Sequence, residues 1–167
     1  MTDLLTAAFV SSLIYGAVTA GVPLLLAGLG EQMSEKAGVL NIGLEGMMLL
    51  GAYGGFAAAY ATGSPAIGFA AGALAGLAAA LLMAALCVWA RLNQIVVGIA
   101  ITLGAEGITA LLHHFQYSRS YPRLAKAETL PLPGLSELPV LGNALFNHHV
   151  LVYTAVLLVP ALAWLYR

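Results

Sequence analysis

The chain of 167 residues is 61% hydrophobic and only 8% charged, with a formal net charge of -1 and a mean hydropathy of +0.94. This composition is typical of an integral membrane protein. It excludes a nucleic-acid-binding protein, because binding to phosphates requires a basic surface. The single cysteine, Cys87, cannot close a disulfide within the chain, so we predict a packing role for it.

Apolar runs long enough to cross a membrane follow one another along the chain, since a spanning helix needs about 20 mostly apolar residues. The predicted spans are residues 4–30, 37–63, 65–90 and 94–112, with a shorter fifth at 150–166. At about 1.5 Å per residue the first run would be roughly 40 Å long, so we predict that it tilts or kinks, with Pro23 at the kink. The sequence therefore predicts an all-α, polytopic transmembrane bundle of four or five spans.

Polar connections separate these runs, at residues 31–36, 62–64, 91–93 and, much longer, 115–149. Several prolines in the long connection exclude a continuous helix, so we predict an exposed loop with a short interfacial piece at 138–146. Five crossings would place Lys36, Arg91 and Arg167 on one side of the membrane and Arg119, Arg123 and Lys126 on the other. The positive-inside rule therefore assigns no orientation.

The second predicted span opens with an unusual mixture of glycine and polar residues. Glycines at 38, 43 and 46 flank Asn41 and Glu45. Glycine loosens a helix, so we predict a broken helix at this point, with freed amides and carbonyls facing a cavity. Broken helices are common solute sites in transporters.

The third predicted span carries a ridge of small residues. They recur every four positions, at Gly68, Gly72, Gly76, Ala80 and Ala84. This spacing favours close helix packing, although glycine and alanine are also simply abundant in this chain.

Two carboxylates, Glu45 and Glu106, lie inside predicted spans. An ionisable side chain at mid-membrane costs roughly 2.5–3.5 kcal/mol, whereas each Leu, Ile, Phe or Val recovers only about 0.3–0.6 kcal/mol. Each glutamate therefore either lines a polar pathway, or is protonated or hydrogen-bonded to a neighbouring helix. Both interpretations stay open.

Neutral polar residues, Asn93, Gln94 and Thr102, stand at the head of the fourth span. They suit an uncharged polar solute, or they cap the helix and join it to a neighbour. The predicted pathway residues are Asn41, Glu45, Asn93, Gln94, Thr102 and Glu106.

The histidine pairs 113–114 and 148–149 raise a metal hypothesis, but adjacent histidines point to different faces of a helix and no carboxylate or Cys stands at ligand spacing. Interfacial histidines are the better interpretation, and we predict no metal site. The sequence contains no nucleophile motif, zinc-protease motif or Walker A motif, so we predict no catalytic residue.

Two blocks carry a resemblance to a known family. Residues 35–53, EKAGVLNIGLEGMMLLGAY, resemble the early signature of ABC transporter permeases of the branched-chain amino acid, ribose and nucleoside class. Residues 92–103, LNQIVVGIAITL, resemble the family's next block, with Gln94 where many members have Glu. The blocks stand in the family's order and spacing, and the resemblance is greatest to the nucleoside or simple-sugar subgroup.

The resemblance implies a permease subunit in the bacterial inner membrane, surrounded by lipid and forming the translocation pathway of an ATP-driven importer. It implies as partners a second permease subunit, two cytosolic ATPase subunits and an extracytoplasmic solute-binding lipoprotein. ATP and Mg would be bound by the ATPase, so this chain would hold no cofactor and would not be an enzyme. It also implies that the N-terminus and loop 115–149 are extracytoplasmic.

Family members continue beyond this length with a cytosolic coupling loop. The resemblance therefore implies that residues 1–167 form the N-terminal part of one transmembrane permease domain, truncated before the residues that contact the ATPase.

Two other functions compete with an importer permease. A non-transporting helical assembly subunit fits the small-residue ridge. A proton-coupled secondary transporter would use Glu45 and Glu106, although no second half of a repeat is visible. A membrane enzyme ranks last, for want of a nucleophile or metal set.

Overall fold

The computed structural model describes residues 6–118, 122–124, 128–134, 136 and 141–167. Its backbone divides into two compact units: a terminal unit, Met1–Leu29 with Ala127–Arg167, and a central unit, Gly30–Lys126. Arg119 and Lys126, two cations predicted on the long loop, lie outside the described residues, as do residues 138–140 of the predicted interfacial piece.

Helices account for most of the described chain. They are α1 (Ala7–Lys36), α2 (Leu44–Thr62), α3 (Pro65–Ala84), α4 (Gln94–Tyr117), α5 (Leu141–Leu145) and α6 (Val150–Leu165), with a π-helical turn, Ala85–Trp89, directly after α3. A short antiparallel pair joins β1 (Leu130–Pro131) to β2 (Asn147–His148). Among the described residues, α1, α4 and α3 with its π-helical turn are long and apolar enough to cross a membrane. The predicted all-α membrane bundle is therefore confirmed, whereas spans at α2 and α6 stay predictions.

The first helix continues to Lys36, so the predicted connection at residues 31–36 is wrong. These residues, EQMSEK, are mostly good helix formers, and the positive charge of Lys36 in the last turn interacts favourably with the helix dipole. Beyond Lys36, the helix is capped by Gly38, which has a φ of 84°. The amide of Gly38 donates to the Glu35 carbonyl (2.9 Å) and the amide of Val39 to the Ser34 carbonyl (2.9 Å), a Schellman C-cap.

Residues 37–43 are not helical, and α2 begins at Leu44. The predicted break near the start of the second span is therefore confirmed. The other end of α2 is closed by Gly63 with a φ of 68°, whose amide donates to the Ala59 carbonyl (2.8 Å). The next helix begins at Pro65. Proline has no amide hydrogen, but the amides of a first helical turn have no partner within the helix, so no hydrogen bond is lost there.

Glycines bring α2 and α3 into backbone contact. A Cβ added at Gly72 would lie 2.9 Å from the Gly51 carbonyl oxygen, and one added at Gly68 would lie 2.9 Å from that of Gly55. Farther along the ridge, Gly76 is less tightly packed, with the Met47 carbonyl oxygen 3.9 Å from an added Cβ. Of the two alanines, Ala80 packs against the core and Ala84 is exposed.

The core of the central unit lies where α2, α3 and α4 meet. Its buried residues are Met47, Ala79, Met83, Cys87, Val97 and Ile101. The thiol of Cys87 lies 3.6 Å from the Met83 sulfur, in a packed apolar environment.

The fourth helix is capped by Asn93, whose side-chain oxygen accepts from the amides of Ile95 (2.9 Å) and Val96 (3.3 Å). We expect Asn93→Ala to lower the free energy of unfolding by about 1 kcal/mol, because the first turn loses its acceptor. Thermal unfolding in detergent micelles measures this loss. The matched control is Asn93→Asp, which keeps a capping oxygen, and equal losses in both variants would contradict the capping role.

The terminal unit is organised around His148, which is 1% exposed. Its ring stacks on Tyr15 at 4.5 Å between centroids, and its Nε2 lies 2.8 Å from the Ala144 carbonyl oxygen. The hydroxyl of Tyr153 accepts from the His148 amide (3.1 Å) and donates to the Leu130 carbonyl (2.9 Å). This histidine is therefore a buried packing residue of the long loop, and its position at the membrane interface stays a prediction.

Candidate functional site

The non-helical segment at residues 37–43 is held by side chains from α1 and α4. The side-chain oxygen of Gln94 accepts from the Leu40 amide (2.7 Å), and its Nε2 donates to the Gly38 carbonyl (3.3 Å). One carboxylate oxygen of Glu31 accepts from the Asn41 amide (2.9 Å). These side chains supply partners for backbone groups that have no hydrogen bond within a helix.

The segment packs tightly on α4 because glycines meet there. A Cβ added at Gly98 would lie 2.8 Å from the Gly43 nitrogen, and one added at Gly46 would lie 2.7 Å from the Thr102 Cα. Farther along both helices, Phe56 faces His113. The contacts advance in the same direction on both helices, so α2 and α4 run parallel.

Polar oxygens at this junction are buried without a hydrogen bond from the described protein. They are Glu31 Oε2, Asn41 Oδ1 and Thr102 Oγ1. The Asn41 amide nitrogen donates to the Met47 sulfur (3.4 Å). Because buried polar groups in proteins are nearly always satisfied, these oxygens mark positions where water or a polar molecule would bind. We call these three oxygens the polar junction.

Beyond the polar junction, α2 and α4 form an open groove of about 480 Å³, which we call the aromatic groove. It is lined by Leu49, Tyr53 and Phe56 of α2 and by Glu106, Thr109, Ala110 and His113 of α4. Within the groove, Glu106 stands near the middle of α4, and its side chain is exposed. An exposed carboxylate in the middle of a span is costly against lipid, so this face is suited to water or protein.

The other carboxylate, Glu45, lies in the first turn of α2 and is also exposed. It precedes Leu49 by one helical turn, so the two residues share a face of α2. Polar groups thus extend from the start of α2 towards the groove. Of the predicted pathway residues, Asn41 lies in the broken segment, Gln94 hydrogen-bonds to it, and Thr102 packs against Gly46 at the start of α2. Asn93 caps α4, and Glu45 and Glu106 are separated along the helices.

Aromatic rings close one end of the groove. Phe56 lies edge-on to Tyr117 at 5.3 Å between centroids, and Tyr60 lies edge-on to the same ring at 5.5 Å. His113 lies 5.4 Å from Tyr117. Such pairs favour a fixed arrangement of rings. The Tyr53 hydroxyl donates to the Gln116 side-chain oxygen (2.8 Å), which joins α2 to α4 at this end.

This aromatic end of the groove was not predicted from the sequence. A usable signal is present, because Phe56 and Tyr60, like His113 and Tyr117, are four residues apart and therefore share a helix face. What the spacing does not reveal is that the two pairs meet, since that depends on the parallel packing of α2 on α4.

A second cavity, of about 330 Å³, lies within the terminal unit. It is lined by Ser11, Ser12, Tyr15, Thr129 and Asn147. The side chains that line it are polar or aromatic, and none of them is charged. The Ser12 hydroxyl donates to the Ala8 carbonyl of its own helix (2.9 Å). None of these residues was predicted as a site residue.

Comparisons with known proteins identify the family. A family model described as the branched-chain amino acid transport system / permease component matches residues 13–167. No solved structure matches the chain.

Several curated proteins resemble the chain over most of its length. A candidate glucose ABC transporter permease protein of Haloferax volcanii is 41% identical over 165 residues, 95% of this chain and 49% of the relative. The guanosine ABC transporter permease protein of Bacillus subtilis is 33% identical over 168 residues, 93% of this chain and 49% of the relative. The nucleoside ABC transporter permease protein of Lactococcus lactis is 29% identical over 149 residues, 85% of this chain and 47% of the relative.

The chain thus spans about half the length of these curated relatives. Within that half, the family model covers the broken segment, the polar junction and the aromatic groove. The helices long enough to span a membrane agree with a multi-pass permease. The chain belongs to the family of the branched-chain amino acid transport system / permease component.

Proposed function

We propose that this chain is a membrane-spanning subunit of an ATP-driven ABC importer for nucleosides or simple sugars. The observation that carries the proposal is the family match over residues 13–167, together with relatives named as glucose, guanosine and nucleoside ABC transporter permeases. The chain forms part of the translocation pathway and hydrolyses nothing itself. A separate ATPase chain binds ATP and Mg.

The proposed assembly contains a second permease subunit, cytosolic ATPase subunits and an extracytoplasmic solute-binding lipoprotein, in the inner membrane. In this arrangement the N-terminus and residues 115–149 face the extracytoplasmic side. The proposed orientation places the polar junction near the cytosolic end of α2 and the aromatic groove towards the extracytoplasmic end.

The polar junction and the exposed carboxylates support a pathway along α2 and α4. Asn41 and Thr102 present buried oxygens that accept no hydrogen bond from the described protein. In the proposed pathway, a hydroxyl or amine of an uncharged solute supplies the missing donor once the packing around these enclosed oxygens opens. Glu45 and Glu106 keep the same face polar where lipid would otherwise reach it.

The experiment that tests the function is uptake of radiolabelled guanosine, adenosine, uridine, glucose and ribose by the assembled transporter in membrane vesicles. We expect one of these solutes to accumulate with ATP and not when the ATPase is inactivated. Accumulation that follows the proton gradient while ATP is absent would assign the chain to secondary transport instead. An assembled complex that accumulates no solute would contradict the importer proposal.

In the proposed pathway the exposed side chain of Glu45 hydrogen-bonds to the solute, and we expect Glu45→Gln to weaken that bond and lower ATP-dependent uptake by about tenfold, or about 1.4 kcal/mol. The matched control is Glu35→Gln, a change at an exposed carboxylate in the last turn of α1, which should leave uptake unchanged. Initial rates at equal amounts of assembled transporter measure the effect. Full uptake by the Glu45→Gln transporter would remove that carboxylate from the pathway.

A further inference from the structure

The cavity of the terminal unit is built between one face of α1 and the strand pair. Ser11 and Tyr15 are four residues apart in α1 and therefore lie on the same helix face. Thr129 directly precedes β1, and Asn147 is the first residue of β2. Together with Ser12 they line about 330 Å³, a volume within the range typical of small-molecule sites.

Both walls of this cavity are held in place by the packing around His148. Its ring stacks on Tyr15, which fixes the aromatic part of the α1 wall. The Tyr153 hydroxyl bonds to the His148 amide and to the Leu130 carbonyl, which ties β1 to β2. Adjacent residues of a strand point to opposite faces, so Asn147 lies on the face opposite the buried His148 and can line the cavity. A preformed cavity of this kind needs little ordering when a ligand binds.

The lining excludes several classes of ligand by its chemistry. None of the described residues that line the cavity carries a charge, so no side chain there compensates a phosphate, a carboxylate or a cation. A lipid acyl chain or an apolar helix would cover hydroxyl groups without replacing their hydrogen bonds to water. A neutral ligand with several hydrogen-bonding groups of its own satisfies the lining.

The hydrogen-bonding groups of the lining are mostly hydroxyls, which both donate and accept. Within the described part of the chain, no residue hydrogen-bonds to the side-chain oxygen of Ser11 or Thr129, so both are available to a ligand. The Ser12 hydroxyl donates to the Ala8 carbonyl and keeps its own oxygen as an acceptor. The exposed lining is polar and apolar in similar proportion. A sugar ring matches such a surface, because it carries hydroxyls at its rim and C–H groups on its faces.

We propose that this cavity binds the ring of a neutral polyhydroxylated solute, through the hydroxyls of Ser11, Ser12 and Thr129 and the side-chain amide of Asn147. The ring belongs either to a monosaccharide or to the ribosyl part of a nucleoside, which share this chemistry. The site is separate from the polar junction, since it lies in the other compact unit. Its part in transport rests on the proposed function, in which residues 115–149 face the extracytoplasmic side and the cavity is an early station of the solute.

The test is saturation-transfer NMR on the assembled transporter in lipid nanodiscs, without the solute-binding protein, so that any signal comes from the transporter itself. The ligands are glucose, uridine, uracil and glucose 6-phosphate. We expect saturation of the ring protons of glucose or of the ribose of uridine. Uracil lacks the hydroxylated ring and glucose 6-phosphate brings an uncompensated charge, so neither should be saturated. The stronger of the glucose and uridine signals identifies which kind of solute carries the ring.

Two variants locate the binding. Thr129→Val keeps the shape of the side chain but removes its hydroxyl, Ser11→Ala removes another, and we expect each to weaken affinity by about fivefold. The matched control is Thr19→Val, the same change in α1 at an exposed residue outside the lining, and it should bind like the unchanged protein. Because Thr129 is exposed and lies outside the helices and strands, its replacement tests the site even if Ser11→Ala fails to assemble.

The possible results separate the site from the proposed function. Saturation of uracil as strong as that of uridine, or equal affinity in the unchanged protein and both cavity variants, would overturn the site. Absence of saturation for glucose and uridine would mean that the cavity holds water only. ATP-driven uptake without such binding would refute the site and leave the importer proposal intact. Binding that weakens in Thr129→Val, without ATP-driven uptake of any solute, would support the site and refute the importer proposal.

Discussion

Replacing Gly98 with alanine is expected to lower the free energy of unfolding of the central unit by about 1–3 kcal/mol, because the added methyl group pushes the broken segment before α2 away from α4. A Cβ at this position lies 2.8 Å from the Gly43 nitrogen and 2.9 Å from the Ile42 Cβ. Neither neighbour is the end of a flexible side chain, so neither can rotate away. The helices must separate or the broken segment must shift.

A change from glycine to alanine stabilises a helix where the added methyl group has room, which allows a comparison of two positions in α4. Alanine is a better helix former than glycine by about 1 kcal/mol, so an alanine with room should stabilise α4. Gly104, in the same helix, has no atom within 4 Å of an added Cβ and is the matched control. Thermal unfolding in micelles should therefore give Gly98→Ala below, and Gly104→Ala equal to or above, the unchanged protein. A stabilised Gly98→Ala protein would mean that the contact between Gly43 and Gly98 is not as close as described.

The substitution Gln94→Leu is expected to release the broken segment from α4. It removes the acceptor of the Leu40 amide (2.7 Å) and the donor to the Gly38 carbonyl (3.3 Å) together. Each lost hydrogen bond that leaves a buried group unsatisfied costs roughly 1–3 kcal/mol, and partial access to water lowers that cost here. We expect hydrogen exchange at the Leu40 amide to become about tenfold faster, or more.

Gln94→Glu is the control for this prediction. It keeps an oxygen for the Leu40 amide but loses the donor to Gly38, so its exchange rate should lie between those of the unchanged protein and Gln94→Leu. If Gln94→Leu left exchange at residues 38–41 unchanged, the segment would be held by α1 and the helix cap alone.

The same residue shows how far sequence reasoning reaches. Gln94 was predicted to face the pathway or to join helices, and the residue type alone does not decide between these roles. In the structure both ends of its side chain are hydrogen-bonded to backbone groups of residues 38–40. Its partners lie more than 50 positions away in the sequence. Nothing local to residues 92–103 identifies them.

Of the helix boundaries, one was predicted correctly from the sequence and another was not. The break before α2 was predictable because glycine clusters weaken helices wherever they occur. The end of α1 was not predicted correctly, since the charged residues 31–36 suggested a loop. Their helix propensity and the cap at Gly38 carry the helix through to Lys36.

By itself, the sequence determined the class of protein, its all-helical architecture, the break near residues 38–43 and the family. Composition, apolar run length and glycine content are properties of short stretches of chain, so they can be read without knowledge of distant contacts. Only the tertiary structure decided that α2 runs parallel to α4, that Asn41 and Thr102 contribute to one polar junction, and that Phe56 faces His113 across a groove. These features arise from contacts between distant segments, and glycines that allow two backbones to meet set their register.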